Sequence, residues 1–164
     1  MAKKINLHAG AAIIIAFTLD QLSKWWLLDI IKIGERPPIE IAPFFNLVMV
    51  WNRGISFGMF SSYNQQFMLI GLSLAIIAVL AYWLTGAHSR LVAIAIGLTV
   101  GGALGNIADR LRFGAVADFF DFHLGMYHWP AFNIADSAIF IGVVLLCWHS
   151  MFTERKQPDS EVSS

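Results

Sequence analysis

Apolar residues in this chain occur in long blocks, without the alternation that a soluble amphipathic helix or strand would show. Four of these blocks approach the roughly 20 residues that a helix needs to cross a bilayer. Asp20 and Lys24 interrupt the first block and no small-residue cleavage site follows it, so we predict a helix and not a cleaved signal peptide. The predicted transmembrane helices cover residues 9–28, 67–84, 91–108 and 134–152 of a single membrane-embedded domain, 1–164.

The stretch after the first helix has a different character. Three prolines exclude a continuous helix there, while the run from Phe44 to Trp51 is apolar, aromatic and typical of a strand. We predict a small extracytoplasmic β element over about residues 36–60, with a turn signal at Gly54. The segment between the third and fourth helices is predicted to be a loop with an amphipathic stretch, and residues 154–164 a disordered tail. The predicted class is an all-α integral membrane protein carrying this small β element.

Composition supports a membrane protein and narrows the chemistry. The chain is 57% hydrophobic and 13% charged with a net charge of zero, so nothing favours binding to nucleic acid. Cys147 is the only cysteine, which excludes an internal disulfide and a cysteine metal cluster. His123 and His128 raise a metal site as an alternative, but their spacing matches no metal motif. We predict neither a metal nor a cofactor.

The orientation of the helices brings the unusual polar residues together. Basic residues alone do not decide it, because five lie on each side of the predicted membrane. Lys3 and Lys4 flank the first helix directly, and this helix usually sets the orientation, so both termini are predicted to be cytoplasmic. The residues expected at the opposite face are Asp20, Lys24, Asn106, Asp109, Arg110, Asn133 and Asp136, with Asp118 in the loop between helices 3 and 4.

Some of these motifs have ordinary structural explanations. Asp20 and Lys24 are spaced as an i to i+4 ion pair, which could merely neutralise two charges, although ionisable residues inside a membrane are more often functional. Gly97, Gly101 and Gly105 recur every four residues and predict close packing of the third helix against its neighbours. The stretch beginning at Asn52 resembles a simple turn when it is taken alone.

The two most informative carboxylates also have two interpretations each. Asn133 and Asp136 match a capping box at the start of the fourth helix, and Asp118 and Asp121 fit an amphipathic surface segment. If Asp118 and Asp136 meet in a poorly solvated place, they form instead the working unit of acid/base hydrolysis. The alternative to a hydrolase is a small transporter or proton-relay subunit, because intramembrane carboxylates also mark ion pathways.

The set of motifs as a whole resembles the bacterial lipoprotein signal peptidase family, signal peptidase II. The resemblance extends over about residues 12–150 and its blocks match in order and spacing. They are Asp20-x-x-x-Lys24, Asn52-x-Gly54 with Phe57 behind it, the glycine-rich run Gly101 to Asn106 followed by Asp109-Arg110, Asp118-Phe119, and Asn133-x-Ala135-Asp136. The glycine-rich block combined with the Asn-x-Ala-Asp block is highly specific.

The resemblance implies an aspartic endopeptidase of the bacterial inner membrane, with its active site near the periplasmic face. Its substrate would be a diacylglyceryl-modified prolipoprotein, cleaved just before the lipidated cysteine, and cyclic peptides of the globomycin type would inhibit it. The catalytic aspartates map onto Asp118 and Asp136, where the step from Arg110 selects Asp118 over Asp121. The substrate-binding or supporting residues implied are Asp20, Lys24, Asn52, Gly54, Asn106, Asp109, Arg110 and Asn133.

Overall fold

A computed structural model describes residues 2–54 and 62–153. In this part of the chain four helices are long and apolar enough to cross a membrane: α1 Ala2–Trp25, α2 Ser62–Thr85, α3 Arg90–Phe113 and α4 Ile134–Thr153. A π-helical turn, Trp26–Ile30, continues α1, and a 3-10 turn, Ile33–Glu35, follows it. The prediction of four membrane-length helices with a small sheet is confirmed. Phe57, the end of the predicted β element and the tail 154–164 lie outside the described residues.

The described residues also form an antiparallel sheet with the strand order β1-β2-β3-β4. The strands are β1 Ile39–Ala42, β2 Phe45–Asn52, β3 Val116–Leu124 and β4 Tyr127–His128. The first two agree with the predicted β element. The segment between α3 and α4 was predicted to be a loop, and this is wrong, because β3 pairs with β2 along most of its length and carries Asp118.

Helix α3 lies at the centre of the helical bundle. The buried share of its membrane span is 72%, whereas no other span exceeds 28%. Glycines allow this position, because a Cβ on Gly97 would lie 2.5 Å from the carbonyl oxygen of Ala9 in α1. On its other side, a Cβ on Gly102 would collide with the carbonyl oxygen of Ala135 in α4. The glycine stripe therefore brings the backbones of α1 and α4 close to α3, as predicted.

The connection from α3 to β3 brings the sheet back to the helices. α3 runs past its predicted end to Phe113 and is capped by Gly114, whose φ of +74° suits a left-handed residue without a side chain. Backbone hydrogen bonds then join Phe120 of β3 to Phe132, just before α4, with N···O distances of 2.8 and 3.2 Å. These hydrogen bonds hold the start of α4 beside the middle of β3.

Candidate active site

Asp118 lies on β3 with its side chain directed towards the helices. It is 1% exposed, and each carboxylate oxygen accepts a hydrogen bond from an amide side chain. Asn52 Nδ2 donates to Oδ2 at 2.9 Å, and Asn133 Nδ2 donates to Oδ1 at 2.7 Å. Burial, assisted by the negative charge of Asp136, raises the pKa of Asp118 to about 6 although these two hydrogen bonds lower it. Asp118 therefore gains and loses its proton around pH 6, well above the range of an ordinary carboxyl group.

Asp136 lies in the first turn of α4 and is half-buried. The predicted capping box is present, because the Asp136 backbone N–H donates to Asn133 Oδ1 at 2.9 Å and the Asn133 N–H donates to Asp136 Oδ2 at 3.2 Å. The other carboxylate oxygen, Oδ1, accepts a hydrogen bond of 2.8 Å from Asn106 Nδ2. Asp136 thus has donors on both oxygens while part of its side chain stays accessible.

A single asparagine side chain links the two carboxylates. Asn133 is fully buried, with its Nδ2 bound to Asp118 and its Oδ1 bound to the Asp136 backbone. The same Nδ2 also lies 3.3 Å from Asn106 Oδ1, so Asn106 and Asn133 form one amide network under both acids. The two carboxylates, 18 residues apart in sequence, therefore meet at one site.

Asp20, Lys24 and Asp109 form a buried ionic cluster next to this network. Lys24 Nζ lies 2.9 Å from Asp20 Oδ2 and 2.8 Å from Asp109 Oδ2. The expected i to i+4 pair is present, but it is only half of the arrangement, because the second carboxylate comes from α3. Asp20 is 0%, Lys24 3% and Asp109 1% exposed, so the cluster is shielded from solvent.

Arg110 and Gly54 lie at the edges of the site. Arg110 Nη1 donates to the carbonyl oxygen of Asn106 at 3.4 Å, and the guanidinium charge attracts Asp136 and Asp118. The N–H of Gly54 donates to Asn52 Oδ1 at 2.9 Å, in a turn where Gly54 has a φ of +100°. This turn leaves the amide group of Asn52 directed at Asp118.

Asp121 does not join the site. Its carboxylate binds His128 Nδ1 at 2.8 Å and accepts a hydrogen bond of 3.4 Å from Asn46 Nδ2. Asp118 and Asp121 are an odd number of residues apart on β3, so they point to opposite faces of the strand. Among residues 2–54 and 62–153, no group of three or more His, Cys, Asp or Glu side chains is arranged to hold a metal ion.

Three contributors were missed by the interpretation of the sequence. Gln21 Nε2 donates to Asp20 Oδ2 at 3.0 Å and to Asp109 Oδ1 at 3.2 Å, so it belongs to the ionic cluster. A polar glutamine in an apolar block was a signal that could have been used. The other two are the backbone N–H groups of Ala117 and Ala135, which no side-chain pattern reveals.

An apolar groove of about 410 Å³ opens beside Asp136. Its lining residues are Trp129, Phe132, Asp136, Ser137, Phe140 and Ile141. Phe140 and Ile141 are on the membrane span of α4 and are 70 and 49% exposed, so the groove continues onto the outer surface of that span. The arrangement provides two carboxylates beside the start of α4, with an apolar approach to one of them.

Comparisons with known proteins point to one family. The family model of signal peptidase (SPase) II matches residues 12–152. The lipoprotein signal peptidase of Beijerinckia indica subsp. indica is 43% identical over 157 residues, covering 93% of this chain and 94% of that protein. That of Methylocella silvestris is 45% identical over 148 residues, covering 88% of this chain and 86% of that protein. A bacterial membrane enzyme structure determined by the in meso method is 29% identical, with a TM-score of 0.78 and 94% of each chain covered.

Proposed function

This chain belongs to the signal peptidase II family and is a membrane peptidase that cleaves the signal peptide of lipoproteins, and we propose that Asp118 and Asp136 are its catalytic residues. The observation that carries the proposal is the convergence of the two carboxylates on Asn133, in a buried amide network at the end of the helices. Under this proposal the enzyme is an aspartic endopeptidase. The transporter or proton-relay alternative is not favoured, because the family is one of peptidases.

In this proposal the two acids act on the substrate with one proton between them. Asp118 carries the proton, which agrees with the pKa of about 6 that burial produces. Asp136, whose oxygens accept hydrogen bonds from Asn106 and from the Asn133 backbone, removes a proton from the attacking water. Asp118 donates a hydrogen bond to the scissile carbonyl and then its proton to the leaving amine. No covalent enzyme intermediate forms.

The amide side chains around the acids have separate tasks. Asn52 and Asn133 hold the two oxygens of Asp118, so they fix the direction in which its proton points. Asn106 orients Asp136, and Gly54 keeps Asn52 in place through its turn. Arg110 supplies positive charge beside the dyad, where a negative charge develops on the tetrahedral carbonyl oxygen.

The substrate we propose is a prolipoprotein whose cysteine carries a diacylglyceryl group, cut just before that cysteine. The apolar groove beside Asp136 supports this, because acyl chains could lie against Phe140 and Ile141 while the peptide bond reaches the dyad. Cyclic peptides of the globomycin type would occupy the same groove and inhibit cleavage. The enzyme would lie in the inner membrane with cytoplasmic termini and its site near the periplasmic face, since Lys3 and Lys4 directly precede the first membrane span, Ile5–Ile30.

A cleavage assay with purified protein in detergent tests the proposal. The substrate is a diacylglyceryl-modified prolipoprotein, and its unlipidated form is the control. Asp118→Asn and Asp136→Asn are each expected to abolish cleavage of the lipidated substrate, whereas Asp121→Asn serves as the matched variant on the opposite face of β3 and retains it. Activity in Asp118→Asn together with its loss in Asp121→Asn would contradict the assignment, and cleavage of the unlipidated control would contradict the substrate.

A further inference from the structure

The residues that directly precede the two proposed catalytic aspartates are held in the same way. Ala117 precedes Asp118, and its backbone N–H donates to Asp109 Oδ2 at 3.1 Å. Ala135 precedes Asp136, and its N–H donates to Asp20 Oδ1 at 3.0 Å. Each catalytic residue therefore follows a backbone group that is bound to a buried carboxylate.

The two buried carboxylates are in turn connected through one cation. Lys24 Nζ contacts Asp20 Oδ2 at 2.9 Å and Asp109 Oδ2 at 2.8 Å. An unbroken path of hydrogen bonds and ion pairs thus joins Ala117 on β3 to Ala135 on α4. The path therefore connects the strand that carries Asp118 with the helix that carries Asp136.

Charge neutralisation alone does not explain this cluster. Lys24 contacts both carboxylates, and the guanidinium of Arg110 attracts Asp109 as well. Neither cation accounts for the backbone N–H that each carboxylate accepts. The distance between Asp118 and Asp136 matters for catalysis, because a misplacement of about 1 Å in an active site can reduce the rate by about 100-fold.

We propose that Asp20 and Asp109, bridged by Lys24, are positioning residues that set the distance between Asp118 and Asp136. The inference rests on the proposed function, in which these two aspartates are catalytic. All three side chains are buried, so we assign them no contact with the substrate. They act on the reaction by fixing where β3 and α4 present the acids.

The hydrogen-bond pattern predicts different results for two chemically identical substitutions. Asp20 uses one oxygen for Ala135 and the other for Lys24, so an asparagine in its place, in either orientation, turns its amide group towards one of these donors. Asp109 uses Oδ2 for both Ala117 and Lys24, so an asparagine there can keep both bonds and place its amide towards Gln21 alone. Asp20→Asn should break the path, whereas Asp109→Asn should leave it continuous.

The test measures kcat and KM for the lipidated prolipoprotein in Asp20→Asn and Asp109→Asn, with thermal melting in detergent to follow the fold. We expect kcat to fall by about 100-fold in Asp20→Asn with KM changed by less than about threefold. In Asp109→Asn the fall should be about tenfold at most, while Asp109→Leu, which lacks the acceptor, should match Asp20→Asn. A cluster that only neutralises charge would instead give equal effects in both asparagine variants.

Equal kcat values in the two asparagine variants would overturn the inference, as would a loss confined to KM. An Asp20→Asn protein that no longer melts cooperatively would assign Asp20 to folding and overturn it as well. Asp118→Asn and Asp136→Asn are assayed in parallel. If they keep activity, the proposed function fails; if they are inactive while Asp20→Asn is fully active, only the positioning role fails.

Discussion

Asp118→Asn should change the stability of the enzyme in a pH-dependent way, besides abolishing cleavage. The folded protein raises the pKa of Asp118 from 3.8 to about 6, so the fold binds the proton more tightly than the unfolded chain does. Because the pKa is higher in the fold, Asp118 contributes most to stability below pH 3.8. This contribution is lost as the pH rises through about 6. Asparagine cannot ionise, so the variant escapes this loss.

The size of the effect follows from the difference between the two pKa values. From 3.8 to about 6, at about 1.36 kcal/mol for each pH unit, the cost of ionising Asp118 in the fold is about 3 kcal/mol. The amide introduced by Asp118→Asn also meets the donors Asn52 and Asn133, which lowers the stability of the variant by about 1–3 kcal/mol at every pH. The wild type has already lost a small part of this stability at pH 4. Between about pH 4 and pH 8 the variant should therefore gain about 2.5 kcal/mol relative to the wild type, whatever the size of its constant stability loss.

Thermal melting in detergent, followed by tryptophan fluorescence at several pH values, measures this gain. About 2–4 °C per kcal/mol for a chain of this length gives a relative rise in Tm of about 5–10 °C across the range. Asp29→Asn, which removes an exposed carboxylate, records the effect of net charge alone. A difference between Asp118→Asn and wild type that stays constant over this pH range would refute the reasoning.

Three further predictions concern the surroundings of the dyad. Asn52→Ala removes a donor that lowers the pKa of Asp118, so the alkaline limb of kcat should move up by about one pH unit, measured over a pH series. Gly105→Ala places a methyl group against Asp20 Oδ2, so the melting temperature should fall by the equivalent of about 1–3 kcal/mol. His128→Ala removes a hydrogen bond between a 51% exposed imidazole and Asp121. The loss should cost about 1 kcal/mol in a melting experiment and leave cleavage intact.

Features that depend on nearby residues were predictable from the sequence. The four membrane helices follow from the length of their apolar blocks, and the capping box of Asn133 and Asp136 follows from a three-residue spacing. The glycine stripe of α3 likewise predicted close packing before any partner was known. In each case the physical cause lies within one or two turns of the chain, so the pattern is complete in the sequence.

Features that depend on distant partners were not predictable in the same way. The prediction of a loop in place of β3 is wrong because the charged and aromatic residues of β3 form a strand only when β2, more than sixty residues earlier, supplies the hydrogen bonds. The binding of Ala135 to Asp20 joins a backbone group to a side chain across 115 residues. Residue types do not reveal which backbone N–H groups are bound, so the positioning path is visible only in the structure.

Asn133 shows why a helix cap and a catalytic group need not be alternatives. Its Oδ1 begins α4 by accepting the Asp136 N–H, and its Nδ2 holds Asp118, so the helix cannot start there without orienting the dyad. Capping normally stabilises a protein by about 1 kcal/mol, and here it acts against the cost of burying Asp118. Asn133 thus stabilises the buried Asp118 and also orients Asp136. Loss of the Asn133 side chain should therefore reduce stability and cleavage together at every pH, whereas Asp118→Asn should abolish cleavage at every pH and change stability in a pH-dependent way.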